Sequence, residues 1–322
     1  MFTRIPANPL TLAAACAVLS VTFFSFNDMA IKFLSGGYAL HEVVLIRSLI
    51  GLGFVLAFII PFSGGWAALR TRRLPMHLLR GLLVVASNMF FFLGLAAMPL
   101  AEAVAIFFVC PVLVTLFSVI FLRETVGRHR WMAAFLGLAG VIVMMRPGTE
   151  SFTPASLLPL GSAVAYAGMH MLTRTIGRTE GPGTLAFYIQ LTFVLVSLSM
   201  GLFVGDGHLA EGAGPSLSFL FRVWIWPAPG GYLILFGIGI ASAVGGYFIS
   251  VAYRAAPAAF VAPFEYFSLV LSVFWGLVVF DEWPDLLSFV GITMILSSGL
   301  YTLWREKVAA PVPVAEAPQL RR

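Results

Sequence analysis

The chain has 322 residues, of which 60% are hydrophobic and only 10% are charged. A soluble domain carries about 25% charged residues, so this composition excludes a water-soluble globular fold and predicts an integral membrane protein. The net charge of +5 comes from Lys and Arg between apolar runs, which indicates membrane topology rather than nucleic-acid binding. The two cysteines, Cys16 and Cys110, lack metal-ligand or redox spacing, and we expect neither a metal site nor a cofactor.

Ten apolar segments are long enough to cross a bilayer as helices, which requires about 20 residues with a range of about 17–25. In chain order these spans cover 10–33, 40–60, 77–97, 100–122, 131–147, 156–175, 183–204, 231–253, 258–280 and 286–304. The continuous apolar runs are typical of helices and not of the alternating strands of a membrane barrel. The sequence therefore predicts an all-α integral membrane protein with ten transmembrane helices, followed by a disordered cytoplasmic tail at 307–322.

The distribution of basic residues predicts the orientation of these spans. With the N-terminus in the cytoplasm, fifteen of the 19 Lys and Arg residues fall on the cytoplasmic side: Arg4, Arg70, Arg72, Arg73, Arg80, Arg123, Arg128, Arg130, Arg174, Arg178, Arg254, Arg305, Lys307, Arg321 and Arg322. Cytoplasmic loops of membrane proteins carry an excess of Lys and Arg. We therefore expect a multi-pass protein of the bacterial cytoplasmic (inner) membrane with both termini in the cytoplasm.

One sequence pattern occurs twice in the chain. A shift of 158 positions superimposes matching residues of the fourth and ninth spans: Pro99 on Pro257, Arg123 on Asp281, and Glu124 on Glu282. A shift of 142 superimposes the first span on the sixth: Ser20 on Ser162, Asp28 on His170, and Lys32 on Arg174. Because each copy contains five spans, an odd number, the second copy is inverted in the membrane. The predicted repeats are residues 1–147 and 148–306.

The five-plus-five arrangement resembles the EamA-type permeases of the drug/metabolite transporter superfamily over roughly residues 10–306. PLAEAVAIFFVCPVLVTLFSVIFLRE closes the first half and APAAFVAPFEYFSLVLSVFWGLVVFDEWP closes the second. The resemblance implies a ten-helix carrier with a central cavity lined by both halves. Members similar to this chain include amino-acid and drug exporters and importers of vitamins or nucleoside-like compounds. Arg123 and Asp281 stand where glycine often precedes the glutamate of this family.

Charged residues within the first two spans are candidates for a gate. A charged side chain at the centre of a membrane helix costs about 2.5–3.5 kcal/mol and usually faces a cavity or a partner. At a rise of about 1.5 Å per residue, Asp28 and Arg47 lie about 9 and 10 Å from the outer surface, so an ion pair between them is feasible. Lys32, one turn after Asp28, is a competing partner. The alternative is a purely structural pair that joins two helices.

Further polar residues within the spans are candidates to line a central cavity. They are Asn88 near the middle of the membrane, His170, Gln190 and Glu265 towards the inner side, and the tyrosines Tyr166, Tyr247 and Tyr266. Tyrosines stack on ligands or hydrogen-bond to them. Glu265 has no basic neighbour one turn away on its own helix, which favours a carboxylate that exchanges protons or binds an amine. The alternatives are interhelical hydrogen bonding by Asn88 and Gln190 and a snorkelling His170.

Two prolines within apolar spans predict helix kinks. Pro111 and Pro263 each remove a helix hydrogen bond, in the fourth and ninth spans. Kinked helices suit a carrier that changes between two open states, although they also suit a static bundle.

The functional prediction is a secondary transporter that moves a small polar or amphipathic metabolite by alternating access. The sequence contains no phosphate-binding Gly-x4-Gly-Lys-Ser/Thr motif, so the energy would come from an ion gradient, such as protons, or from exchange. An intramembrane lipid-modifying enzyme is the alternative, but neither metal-like clusters nor a Ser/His/Asp set supports it. A channel is a third option, although rings of charge require a symmetry that one chain lacks. The expected partners are the substrate and the lipid bilayer, and the protein is a monomer or homodimer.

Overall fold

The computed structural model describes residues 9–61, 65–123, 127–149, 152–176, 180–210, 212, 214–255, 261 and 264–309. The regular structure in these ranges is helical. We number the α-helices α1 (Pro9–Leu34), α2 (Leu40–Phe54), α3 (Leu74–Leu95), α4 (Leu100–Phe107), α5 (Cys110–Leu122), α6 (Arg128–Met145), α7 (Leu157–Ile176), α8 (Pro182–Val204), α9 (Pro215–Phe221), α10 (Pro229–Ala255), α11 (Phe267–Phe280) and α12 (Leu286–Ala309).

The helices confirm the predicted all-α membrane protein. Within the described residues, seven helical segments are long and apolar enough to cross a bilayer, and three shorter apolar helices occur at 131–145, 267–280 and 286–302. Each of these ten segments overlaps one of the ten predicted spans, and residues 258–260, 262 and 263 at the start of the ninth span lie outside the described residues. The helix predicted from residue 77 begins at Leu74, because Pro75 in the first turn needs no intrahelical N–H bond. The final helix continues to Ala309, and the rest of the predicted tail, 310–322, lies outside the described residues.

The fourth span is interrupted where the sequence predicted a single helix with a kink. α4 ends at Phe107 and α5 begins at Cys110, with Phe108 and Val109 between them. Pro111 lies in the first turn of α5, where its missing N–H leaves no helix bond unmade. Pro263, the matching prediction in the ninth span, lies outside the described residues. A second irregularity, the π-helical turn Val55–Ile59 at the end of α2, was not predicted.

The contacts between helices repeat when the two halves are exchanged. α1 packs on α10 as α3 packs on α7, and α10 contacts α2 as α3 contacts α8. Likewise α1 contacts α11 as α7 contacts α5. The pairs α2–α8 and α6–α12 each correspond to themselves under this exchange. This is the contact pattern of two inverted repeats, while the predicted boundary at residue 147 remains a prediction.

Individual hydrogen bonds follow the same two sequence shifts. The Ser20 hydroxyl donates to the Gly245 carbonyl at 2.8 Å, between α1 and α10. Ser162 matches Ser20 in the shift of 142, and Ser87 matches Gly245 in the shift of 158. The hydroxyls of Ser162 and Ser87 are hydrogen-bonded at 3.0 Å. The repeat therefore extends from the sequence pattern to buried contacts between helices.

The ends of the repeated spans also share one backbone conformation. Arg123 and Asp281 both have φ 55° and ψ 33°, in the left-handed region. Their N–H groups bond to the carbonyls of Ser118 and Gly276, which also match in the shift of 158. A left-handed residue favours glycine, since a Cβ is disfavoured there. This explains why glycine often stands at these positions in the family that the sequence resembles.

These two matched ends lie at opposite ends of the fourth span. The backbone N–H of Leu100, at the start of α4, donates to the Glu282 carboxylate at 2.9 Å. Arg123 follows the last residue of α5, at the other end of the same span. We therefore name the two sides of the helix bundle the Glu282 end and the Arg123 end.

α6 and α12 approach each other closely at two glycines. A Cβ on Gly140 would lie 2.9 Å from the Gly291 carbonyl oxygen, and a Cβ on Gly291 would lie 2.7 Å from the Gly140 oxygen. Small residues allow membrane helices to pack at such short distances, where van der Waals contact stabilises them.

We expect Gly140→Val to lower the thermal unfolding midpoint in detergent, because overpacking typically costs about 1–3 kcal/mol. Gly53→Val is the matched control, since a Cβ at Gly53 meets nothing within 4 Å. An unchanged midpoint for Gly140→Val would contradict the close approach of α6 and α12.

Candidate functional site

Arg47 is a buried cation within the membrane-spanning part of α2. Its side chain extends between two aromatic rings, with the guanidinium carbon 5.4 Å from the centroid of Phe92 and 5.1 Å from that of Phe193. One terminal nitrogen donates to the Asn88 side-chain oxygen at 3.2 Å. A desolvated cation–π contact contributes about 2 kcal/mol or more. The contacts from α3 and α8 therefore hold the charge in place.

Asp28 does not form the predicted direct ion pair with Arg47. Its carboxylate accepts a hydrogen bond from the neighbouring Asn27 side chain at 3.2 Å. The charges of Asp28 and Arg47 interact over a longer distance. The guanidinium instead contacts Asn88 and Phe92 of α3 and Phe193 of α8. Asp28 and Arg47 are thus near enough for their charges to interact, but they form no direct salt bridge.

Lys32 has a different partner from the one that the sequence suggested. Its ammonium donates to the Glu282 carboxylate and to the Met98 carbonyl, both at 2.6 Å. The second carboxylate oxygen of Glu282 accepts the Leu100 N–H. The Lys32 side chain is only 9% exposed. This network joins the end of α1, the start of α4 and the loop after α11 at the Glu282 end.

Four of the predicted cavity residues form a second group. The rings of Tyr166 and His170 contact edge to face, with centroids 4.6 Å apart. Phe107 contacts Tyr166 and Phe108 contacts Tyr266, with ring centroids 5.5 and 4.9 Å apart, so Tyr166, Tyr266 and the adjacent Glu265 lie in one neighbourhood. Arg80, which the sequence indicated only as a topological charge, reaches from α3 to α7, where its Nε donates to the Thr173 hydroxyl at 2.7 Å, about one turn after His170.

Two other predicted residues lie elsewhere. Gln190 packs on the backbone of α2, where a Cβ on Gly51 would lie 2.5 Å from its amide nitrogen. Tyr247 is 51% exposed on the surface of α10, and its ring contacts that of Phe248. That Tyr247 lines the cavity therefore remains a prediction.

Several buried polar groups were not recognised in the sequence. The side-chain oxygen of Asn27 and the indole nitrogen of Trp275 are buried, and neither has a hydrogen-bond partner among the described residues. His77 is fully buried, and one ring nitrogen lies 3.7 Å from the Glu180 carboxylate. The position of Asn27 beside Asp28 could have indicated a polar role. Trp275 could not have been singled out, because tryptophan is common in membrane helices.

Asp285 pairs with Arg146 at the Glu282 end, where α6 ends and α12 begins. Arg146 donates to its carboxylate, and the Ser288 N–H donates to the other oxygen at 2.8 Å. These contacts lower the pKa of Asp285 from 3.8 to about 2.

A depressed pKa in the folded state predicts a pair that stabilises the protein above about pH 4 and is lost as the pH falls towards 2. Asp285 is 54% exposed, so the contribution is small, about 0–1 kcal/mol. We expect the difference in melting temperature between the wild type and Asp285→Asn to be constant from about pH 7 to pH 5 and to shrink below about pH 4. A difference that grows in acid would contradict this assignment.

Comparison with known proteins agrees with this architecture. The pattern of the EamA-like transporter family matches residues 11–146. A riboflavin transporter of Rhizobium johnstonii is 32% identical over 256 residues, which are 79% of each chain. An S-adenosylmethionine uptake transporter of Rickettsia prowazekii is 26% identical over 90% of this chain and 92% of its own. A pseudopaline exporter of Pseudomonas aeruginosa is 27% identical over 87% and 92%, respectively.

A crystal structure of another protein has the same fold. It superimposes with a TM-score of 0.63 over 93% of this chain and 99% of its own, at 18% sequence identity. The family pattern, the relatives and the ten apolar helices lead to the same conclusion. This chain belongs to the EamA-like transporter family and is a multi-pass membrane transporter rather than an intramembrane enzyme.

Proposed function

We propose that this chain is a secondary transporter that carries a small organic metabolite across the bacterial cytoplasmic membrane by alternating access. The observation that carries the proposal is the exchange of contacts between the two halves, seen in the bonds Ser20–Gly245 and Ser87–Ser162. Two similar halves of opposite orientation can adopt two arrangements that open to opposite sides. Polar residues at membrane depth, such as Arg47 and Asn88, then face the substrate.

The relatives indicate which substrates to test first. Two of them are named for riboflavin and S-adenosylmethionine, and one for the export of pseudopaline. These are small organic metabolites with several polar groups. We propose that the substrate of this chain has the same general character, with uptake as the first direction to test.

Proton coupling is the proposed source of energy, with exchange as the alternative. Glu265 and His170 are the titratable residues that we propose for it, since both lie in the group around Tyr166. A carboxylate and an imidazole can each take up a proton on one side and release it on the other. The oligomeric state, monomer or homodimer, remains a prediction.

Transport by the purified full-length protein in liposomes tests the proposal. We expect uptake of labelled riboflavin or S-adenosylmethionine that exceeds uptake into protein-free liposomes and responds to an imposed pH gradient. Glu265→Gln should remove the response to the gradient and retain exchange. Transport of no metabolite in a broad panel would contradict the proposed function, and an unchanged pH response of Glu265→Gln would contradict the coupling.

The proposed orientation has both termini in the cytoplasm. Single cysteines in place of Arg128 and Trp283 test it in a variant with Cys16 and Cys110 replaced, since Arg128 and Trp283 are exposed. In intact cells an impermeant thiol reagent should label position 283 and not position 128. Labelling of both positions from one side would contradict the inverted repeat.

A further inference from the structure

Phe108 and Tyr266 occupy matching positions in the two halves and contact each other. The shift of 158 superimposes one on the other. Their ring centroids are 4.9 Å apart with an angle of 29° between the planes, which is a stacked arrangement. Two residues that exchange when the halves exchange must lie close to the axis that relates the halves. This stacked pair therefore marks the junction at the centre of the transporter.

Both rings belong to turns that separate helices within the membrane. Phe108 lies between α4 and α5, and Tyr266 lies in the turn that precedes α11. Non-helical backbone at membrane depth is tolerated where protein buries it or where it lines a cavity. Both side chains are only partly buried although each packs against the hydrophobic core. Partial exposure at the junction of the halves is expected when rings border an internal space.

The position of Tyr266 is defined by the neighbouring helix. A Cβ on Gly299 of α12 would lie 2.0 Å from the tyrosine ring carbon Cζ, so the ring rests directly on a glycine backbone. Phe107, which precedes Phe108 in the chain, contacts Tyr166 with ring centroids 5.5 Å apart. The junction is thus a set of aromatic surfaces, and Glu265 precedes one of them, Tyr266, in the chain.

We propose that Phe108 and Tyr266 bind a planar heteroaromatic ring of the transported substrate by stacking on its two faces. The two rings come from different halves, so the motion between the halves that alternating access requires would separate them and admit a flat ring. Stacking on two aromatic faces selects planar substrates without fixing a hydrogen-bond pattern. This inference rests on the proposed transport function and specifies which class of metabolite the site accepts.

The binding experiment uses the full-length protein in detergent with three probes. Riboflavin and S-adenosylmethionine carry a planar heteroaromatic ring, whereas methionine is a part of the latter that lacks the ring. We expect at least one heteroaromatic probe to raise the thermal unfolding midpoint and methionine to leave it unchanged. For riboflavin, the loss of flavin fluorescence on stacking provides a second readout.

The variants separate stacking from simple packing. Phe108→Leu and Tyr266→Leu should weaken binding of the heteroaromatic probe by at least about fivefold, whereas Tyr266→Phe should retain it. Gly299→Ala leaves both rings in the chain but displaces Tyr266, and it should also weaken binding. Phe117→Leu is the control, because the ring of Phe117 packs on that of Phe121, which is 67% exposed.

Three results would overturn the inference. They are wild-type affinity of both Tyr266→Leu and Gly299→Ala, stabilisation by methionine equal to that by S-adenosylmethionine, and binding of neither heteroaromatic probe to protein that transports ring-free metabolites. In the last case the proposed transport function stands and only the ring site fails. Failure to transport any metabolite would instead remove the proposed function itself.

Discussion

Lys32→Met is expected to lower the thermal unfolding midpoint clearly, because it leaves the Glu282 carboxylate without its cation. The ammonium bonds to Glu282 and to the Met98 carbonyl, both at 2.6 Å, and is nearly inaccessible. Removing one partner of a buried pair costs about 3–5 kcal/mol, and partial exposure of Glu282 reduces this to about 2–3 kcal/mol. Since the pair joins α1, the start of α4 and the loop after α11, transport should also fall.

A double variant separates the pair from the individual residues. Lys32→Met combined with Glu282→Gln removes both charges, so no unpaired charge remains and much of the lost stability should return. The exposed pair provides the control, and Arg146→Met combined with Asp285→Asn should change stability by about 1 kcal/mol or less. The assignment is wrong if Lys32→Met melts like the wild type, or if the double variant is as unstable as the two single changes together.

Arg47→Gln is expected to reduce transport by about tenfold to a hundredfold. This range corresponds to the loss of one charge-assisted hydrogen bond to a ligand, about 1.5–3 kcal/mol. The variant also loses the contacts with the rings of Phe92 and Phe193. Arg47→Lys keeps the charge but lacks the planar group that stacks between the rings, and it should fall between the wild type and Arg47→Gln. The measurement is the initial rate of uptake into proteoliposomes with matched protein content.

The same substitution tests whether Arg47 only joins helices. Asp28→Asn is combined with Arg47→Gln, because the two charges interact without touching. If the double variant transports normally, the residues form a structural pair and no substrate contact is needed. If it is as inactive as the worse single variant, both face the substrate. Arg146→Gln, at the exposed pair, is the control and should transport like the wild type.

The repeat in the sequence contains a signal for the charge pair at the Glu282 end. Lys32 matches Arg174 in the shift of 142, and Glu282 matches Glu124 in the shift of 158. Both repeats therefore have a basic residue at the first matched position and a glutamate at the second, which is the pattern expected if each repeat contributes to an equivalent charge pair. Helix geometry alone predicts partners only about one turn away, so it indicates Asp28 as the partner of Lys32.

Among the predicted cavity residues, contacts within one helix follow from the sequence, whereas contacts between helices do not. Tyr166 and His170 lie one turn apart on α7, and their contact follows from helix periodicity. Only its residue type indicates Tyr247 as a cavity residue. Its exposure depends on which face α10 turns to its neighbours. The partners of Arg47 come from α3 and α8, two helices whose positions around α2 are a property of the packed bundle.

The sequence by itself determined the all-helical membrane class, the ten spans and the repeated register. Each of these depends on local quantities: the length of apolar runs and the match of residues at fixed shifts. Only the tertiary structure decided that Lys32 reaches Glu282, that Arg47 lies between two aromatic rings and that Phe108 meets Tyr266. The physical reason is that each charge or ring has several possible partners. Which partner it contacts depends on how helices that are distant in sequence pack together.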